Sequence, residues 1–149
     1  MDKIASFTVD HDYITEGMYI SRIDGDITTF DLRTRKPNAG DYMDNLTMHS
    51  VEHMVATLIR NSEISKDVIY FGPMGCRTGF YLLFKGEVSV EKIKPAIIKC
   101  FEFIKDYEGE IPGASAVECG NYLDLNLDMA KYYCKIYRDS LAKNKRFVY

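Results

Sequence analysis

An α+β fold, an antiparallel sheet packed with helices in a single domain, follows from two observations. Strand-like segments come as neighbours joined by short turns, at 18–32 and again at 67–84, whereas helix-periodic segments at 46–61, 90–106 and 127–142 stand apart from them. Hairpins mixed with separate helices favour this class over a doubly wound parallel sheet. No repeat, low-complexity segment or linker divides the 149 residues, enough to bury a core without staples.

Each element has its own signal. Ile20, Ile23, Ile27, Phe30 and Leu32 supply the apolar positions of a hairpin over 18–32, and Asp24-Gly25 supplies its turn. Residues 33–40, punctuated by Pro37 and Gly40, read as a loop. On the helix at 46–61, Val51, Met54, Val55 and Leu58 form an apolar stripe, with His49, Glu52, His53 and Ala56 on the neighbouring face. Residues 67–71 and 78–84 are rich in β-branched and aromatic side chains and read as strands, with Gly72-Pro-Met-Gly-Cys76 as the turn between them. The 90–106 helix packs through Val90, Ile93, Ile97, Phe101 and Ile104, and Pro95 inside it should cost stability or force a kink. The last helix, 127–142, packs through Ala130, Tyr133, Cys134, Tyr137 and Leu141.

Composition narrows the function classes. The chain is 46% hydrophobic and 28% charged, the balance of an ordinary globular protein rather than a disordered one. A net charge of −3 without a dense basic stripe argues against a nucleic-acid footprint, and Lys143-Asn-Lys-Arg146 reads as a solvated helix end. The charged N-terminal stretch lacks the apolar core of a signal peptide, and no run is long enough for a membrane span. A cytoplasmic protein without a membrane partner is expected. Its four scattered cysteines should then stay reduced, with Cys100 and Cys134 as packing residues.

The chemistry centres on His49-Ser-Val-Glu52-His53. Imidazoles at i and i+4 on a helix are neighbours and can converge on one divalent cation. Glu52 is spaced to carry protons beside it. The bland reading is a pair of hydrogen-bonded helix histidines with a surface carboxylate. A catalytic centre needs a third ligand and an open position. Cys119, in Glu118-Cys-Gly-Asn121, is the best candidate, with Gly120 allowing close backbone approach. A thiolate suits zinc or ferrous iron, although Cys119 also reads as a small buried hydrophobe. Cys76 stands in a Gly-flanked turn beside Arg77, which would favour its thiolate and suit it to proton transfer. It reads equally as an inert loop thiol. His11 and Arg33 are open to reading as polar-ligand contacts or as surface charges.

Five ordered blocks carry a resemblance. They are Ser6-Phe-Thr-Val-Asp-His11, Phe30-Asp-Leu-Arg33 with Pro37-Asn38, His49-x-x-Glu52-His53, Pro73-Met-Gly-Cys-Arg-Thr-Gly-Phe80, and Glu118-Cys-Gly-Asn121. Together they resemble the S-ribosylhomocysteine lyases, the autoinducer-2 synthases of quorum sensing. The resemblance implies a ferrous ion, replaceable by zinc or cobalt, held once per subunit by His49, His53 and Cys119. It further implies Cys76 and Glu52 as catalytic proton carriers, and Ser6, His11 and Arg33 as substrate contacts. The implied reaction is metal-assisted enolisation and β-elimination, which splits S-ribosylhomocysteine into homocysteine and 4,5-dihydroxy-2,3-pentanedione. It also implies a homodimer with sites built at the interface. One departure stands out: Tyr70-Phe71-Gly72 occupies a position where the family pattern has Asp-Ile-Ser, so a sugar contact there must be replaced or lost. A zinc peptidase of the His-x-x-Glu-His type and a non-catalytic metal-binding domain are the competing readings.

Overall fold

The structure is a computed structural model that describes residues 2–4, 7–145, 147 and 149. Its elements, in chain order, are β1 (Gly17–Asp24), β2 (Ile27–Arg33), α1 (Asn45–Arg60), β3 (Val68–Pro73), β4 (Gly79–Lys85), α2 (Val90–Lys105) and α3 (Leu127–Lys143). The four strands form one antiparallel sheet in the order β1-β2-β4-β3. This is the expected α+β architecture. Gly25 takes φ 61° in the two-residue loop between β1 and β2, a conformation that glycine adopts without steric cost.

Strand alternation splits the sheet into two unlike faces. Met18, Phe30, Leu32, Phe80 and Leu82 are fully buried and join Val51, Met54, Val55, Ile97, Phe101 and Tyr137 of the helices in one core. The opposite face of β2 carries Thr29, Asp31 and Arg33, which are also buried. Tyr19, the cross-strand partner of Asp31, stacks with Tyr149 there at 5.3 Å. Gly79 lets β4 press onto β2, since a Cβ at that position would fall 2.6 Å from the Leu32 carbonyl oxygen.

The helices form where their periodicity places them. Asp44 caps α1 by accepting from the Thr47 amide at 2.8 Å, a bond that holds its carboxyl below the usual range. Pro95 does not end α2, which runs unbroken from Val90 to Lys105. The face that buries Val90, Ile93, Ile97, Phe101 and Ile104 offsets the lost amide donor. Cys100 and Cys134 are buried as expected, and burial pushes the Cys100 thiol up to about 11 and that of Cys134 up as well. Asn126 caps α3 through the Met129 amide, while its own amide donates to Ser50 Oγ at 2.6 Å. That second bond ties the entry of α3 to the middle of α1.

Candidate active site

The apolar stripe of α1 turns into the core, which leaves His49, Glu52 and His53 half-buried on its flank. Both imidazoles are tethered by main chain. His49 Nδ1 lies 2.8 Å from the Asp124 carbonyl oxygen, and His53 Nδ1 lies 2.8 Å from that of Pro112. A carbonyl only accepts, so each Nδ1 must donate its proton. Nε2 is therefore the ring nitrogen left for a cation, the usual arrangement of metal-binding histidines. The rings stand edge to face with centroids 4.5 Å apart.

Cys119 completes the cluster. Its Sγ lies 3.3 Å from His49 Nε2, and one ligand atom from each of His49, His53 and Cys119 falls within 4.8 Å of the others. Sulfur and nitrogen ligands on one tetrahedral metal stand about 3.5 Å apart, so this donor set fits such an ion. The Asn121 amide donates to the Cys119 sulfur at 3.4 Å and helps to orient it toward the rings. Gly120 has open space where a Cβ would stand, so close approach is not its role. Gly113 meets that need instead: it adopts φ 75°, and a Cβ there would lie 3.1 Å from His53 Nδ1. Glu52 lines the groove shared by His53 and Cys119, and also a cleft of about 310 Å³ with His49, Met74, Gly75 and Arg77.

The remaining candidates gather at the β3–β4 turn. The Arg77 amide donates to the Met74 carbonyl and the Met74 amide to the Gly79 carbonyl, both at 2.9 Å, and Arg77 takes φ 61°. Cys76 is thereby exposed at the tip. The guanidinium that reaches it is that of Arg33, not Arg77. Arg33 Nη1 lies 3.9 Å from Cys76 Sγ and donates to Thr78 Oγ1 at 2.6 Å, while Thr78 Oγ1 is 3.0 Å from the sulfur. Burial works against the Arg33 charge, but Asp31 outweighs it through an ion pair at 2.5 Å, so the guanidinium pKa is raised. His11, whose Nδ1 meets the Val9 carbonyl at 2.9 Å, lines a pocket with Cys76, Asn38, Tyr42 and Thr78. Ser6 lies outside the described residues.

The expected residues thus fall into two groups separated by one turn. Gly75 and Arg77 face the cleft that holds His49 and Glu52, and Cys76 between them faces His11. Sequence reasoning passed over Asp31, although a charge flanked by Phe30 and Leu32 in a buried strand was a visible signal. The Tyr70-Phe71-Gly72 departure is internally coupled. The Tyr70 ring lies over Gly72, so that a Cβ at 72 would collide with its hydroxyl, and Tyr70 remains about half-exposed on edge strand β3.

Comparison with known proteins agrees across the whole chain. An S-ribosylhomocysteine lyase of Clostridium beijerinckii is 46% identical, with 100% of this chain and 99% of the relative covered. One from Finegoldia magna is 49% identical over 98% of this chain and 96% of its own length. A third, from Clostridium acetobutylicum, is 49% identical over 91% and 89%. The S-ribosylhomocysteinase (LuxS) pattern matches residues 4–147, and with these relatives it shows that the chain belongs to that family.

Proposed function

We propose that this chain is a carbon–sulfur lyase that cleaves S-ribosylhomocysteine to homocysteine and 4,5-dihydroxy-2,3-pentanedione, the autoinducer-2 precursor. The observation that carries the reading is the convergence of His49, His53 and Cys119 beside Glu52, with both Nδ1 atoms engaged by main-chain carbonyls and His49 Nε2 at 3.3 Å from the sulfur. Those three residues would hold one ferrous ion, or zinc or cobalt in its place. When bound, the cation supplies Lewis acidity toward the sugar's carbonyl oxygen.

The chain's own residues move the protons. Relocating a carbonyl along a sugar needs a proton taken from one carbon and returned to the next, and Glu52 and Cys76 are the two carriers. Glu52 works from the metal side. Cys76 works from the turn, with the Arg33 guanidinium 3.9 Å from its sulfur. His11, Arg33 and Ser6 would bind the substrate around the thiol. In the closing step the C–S bond breaks, a carbon-bound proton leaves, and the departing sulfur gains one. Atoms balance without water or a redox partner.

A homodimer with shared sites accounts for the exposed apolar side chains. Val117 and Leu123, 97% and 77% exposed, flank Cys119 in sequence, and Phe7 and Tyr13, 66% and 77% exposed, flank His11. A partner subunit seated beside the two clusters would cover these side chains. A cytoplasmic place and a role in quorum sensing belong to the same reading; no helix among the described residues is long and apolar enough to cross a membrane.

Thiol release from S-ribosylhomocysteine, measured with metal content, tests the assignment. Glu52→Gln should keep the metal yet lose about 100-fold to 10,000-fold in turnover, the usual worth of a proton carrier. Metal loss in this variant would instead put Glu52 among the ligands. Full turnover after exhaustive chelation would overturn the whole reading. The peptidase alternative predicts peptide cleavage indifferent to Cys76→Ala, and family membership gives it no support.

A further inference from the structure

Behind Cys76 runs a buried line of polar contacts that proton transfer by itself does not explain. Arg33 Nη2 donates to Asp31 Oδ2 at 2.5 Å, and the same oxygen accepts from the Tyr149 hydroxyl at 2.6 Å. The Arg33 and Asp31 side chains are only 3% and 1% exposed, so solvent screens their fields weakly. Asp31 Oδ1 and Arg33 Nε are both buried without a hydrogen-bond partner. A guanidinium and a carboxylate left to themselves favour two parallel bonds. Here one forms, and Tyr149 holds the carboxylate by the oxygen that makes it.

We propose that Tyr149 and Asp31 are positioning residues for the Cys76 thiolate, acting through Arg33. Asp31 anchors one arm of the guanidinium so that the other is aimed at Thr78 and the sulfur. Tyr149 donates to that carboxylate, takes up part of its charge, and leaves more of the Arg33 field at Cys76. The other titratable groups facing the thiol are His11 and Tyr42 in its pocket and Tyr81 from β4, while Arg77, next in its turn, faces the cleft of His49 and Glu52. Among the described residues none of these side chains hydrogen-bonds to Arg33, Asp31 or Tyr149, whereas Tyr149 stacks on Tyr19 and closes the outer end of the line. The proposal rests on Cys76 being a proton carrier, but its geometry can be tested without turnover.

The test is the pH dependence of Cys76 alkylation by iodoacetamide in the full-length, metal-loaded protein, followed by mass spectrometry of the Cys76 peptide. Tyr149→Phe frees the carboxylate to pair more fully with Arg33, so the midpoint should rise by about half a pH unit. Asp31→Asn removes the opposing charge while Thr78 still holds the guanidinium, so the midpoint should fall. The acid limb of kcat/KM should move in the same sense as each midpoint. Opposite shifts are something a purely structural contact would not produce. An unchanged midpoint in Tyr149→Phe, or shifts of one sign in both variants, would overturn the proposal, and Tyr149→Phe decides alone if Asp31→Asn does not fold. Should Cys76→Ala keep full thiol release while Tyr149→Phe moves the midpoint, the catalytic role of Cys76 fails and the positioning stands.

Discussion

The metal cluster and the thiol cluster hold their functional atoms by opposite means. His49 and His53 sit half-buried on a helix flank and are oriented by uncharged main-chain carbonyls at 2.8 Å. Cys76 sits exposed on a turn, and the charge behind it is fixed by an ion pair sunk into the sheet. A carbonyl tether fixes which ring nitrogen carries the proton and frees the other for a cation. An ion pair in a nearly dry place transmits a field, which is what a thiolate requires. Holding a cation and carrying a proton, the two tasks proposed for these clusters, differ, and each cluster has the support suited to its own.

Breaking the ion pair should have the largest effect on stability. Arg33→Met leaves Asp31 buried without its cation and should cost about 3–5 kcal/mol, measured by denaturant unfolding. A cost below about 1 kcal/mol would mean that the sheet cluster is no more rigidly held than a surface pair. Crowding a tether comes next. Gly113→Ala places a Cβ against His53 Nδ1 and a side chain at φ 75°. It should cost about 1–3 kcal/mol in backbone strain and weaken metal affinity about 10-fold to 100-fold. A competitive chelator titration checks the second figure.

Uncapping α1 should be the mildest change. Asp44→Ala removes the bond to the Thr47 amide and should cost about 1 kcal/mol at neutral pH. That bond lowers the folded-state carboxyl below its unfolded value. The stability it gives is therefore complete above the ordinary aspartate range and is lost as pH falls through the folded value. Wild type and Asp44→Ala should accordingly converge in strong acid, and a gap that stayed constant would remove the electrostatic account of the cap.

Local sequence carried most of the fold and half of the site. The stripe of Val51, Met54 and Val55 fixed which way α1 turns and hence where His49 and His53 emerge, because 3.6-residue periodicity is a property of residue types. The hairpins were legible for the same reason, through Gly25 and the alternation of β2. The tethers were not legible. The acceptors on Pro112 and Asp124 are backbone oxygens, which every residue possesses, and they lie in a stretch between α2 and α3 with no periodicity to place it. The partner of Cys76 was misread for a related reason. Arg77 is its neighbour in sequence, but the pairing of β2 with β4 brings Arg33 beside Gly79 and so to the turn. Contacts made across a sheet follow register, and a single chain does not announce its register.

One stretch between α2 and α3 supplies the Pro112 oxygen, the Cys119 sulfur and the Asp124 oxygen. The proposed third ligand and both ring anchors therefore arrive or depart together. A nick within 113–123 should release the ion in one step rather than leave it on two loosened imidazoles, so capture and surrender of the metal should behave as a latch.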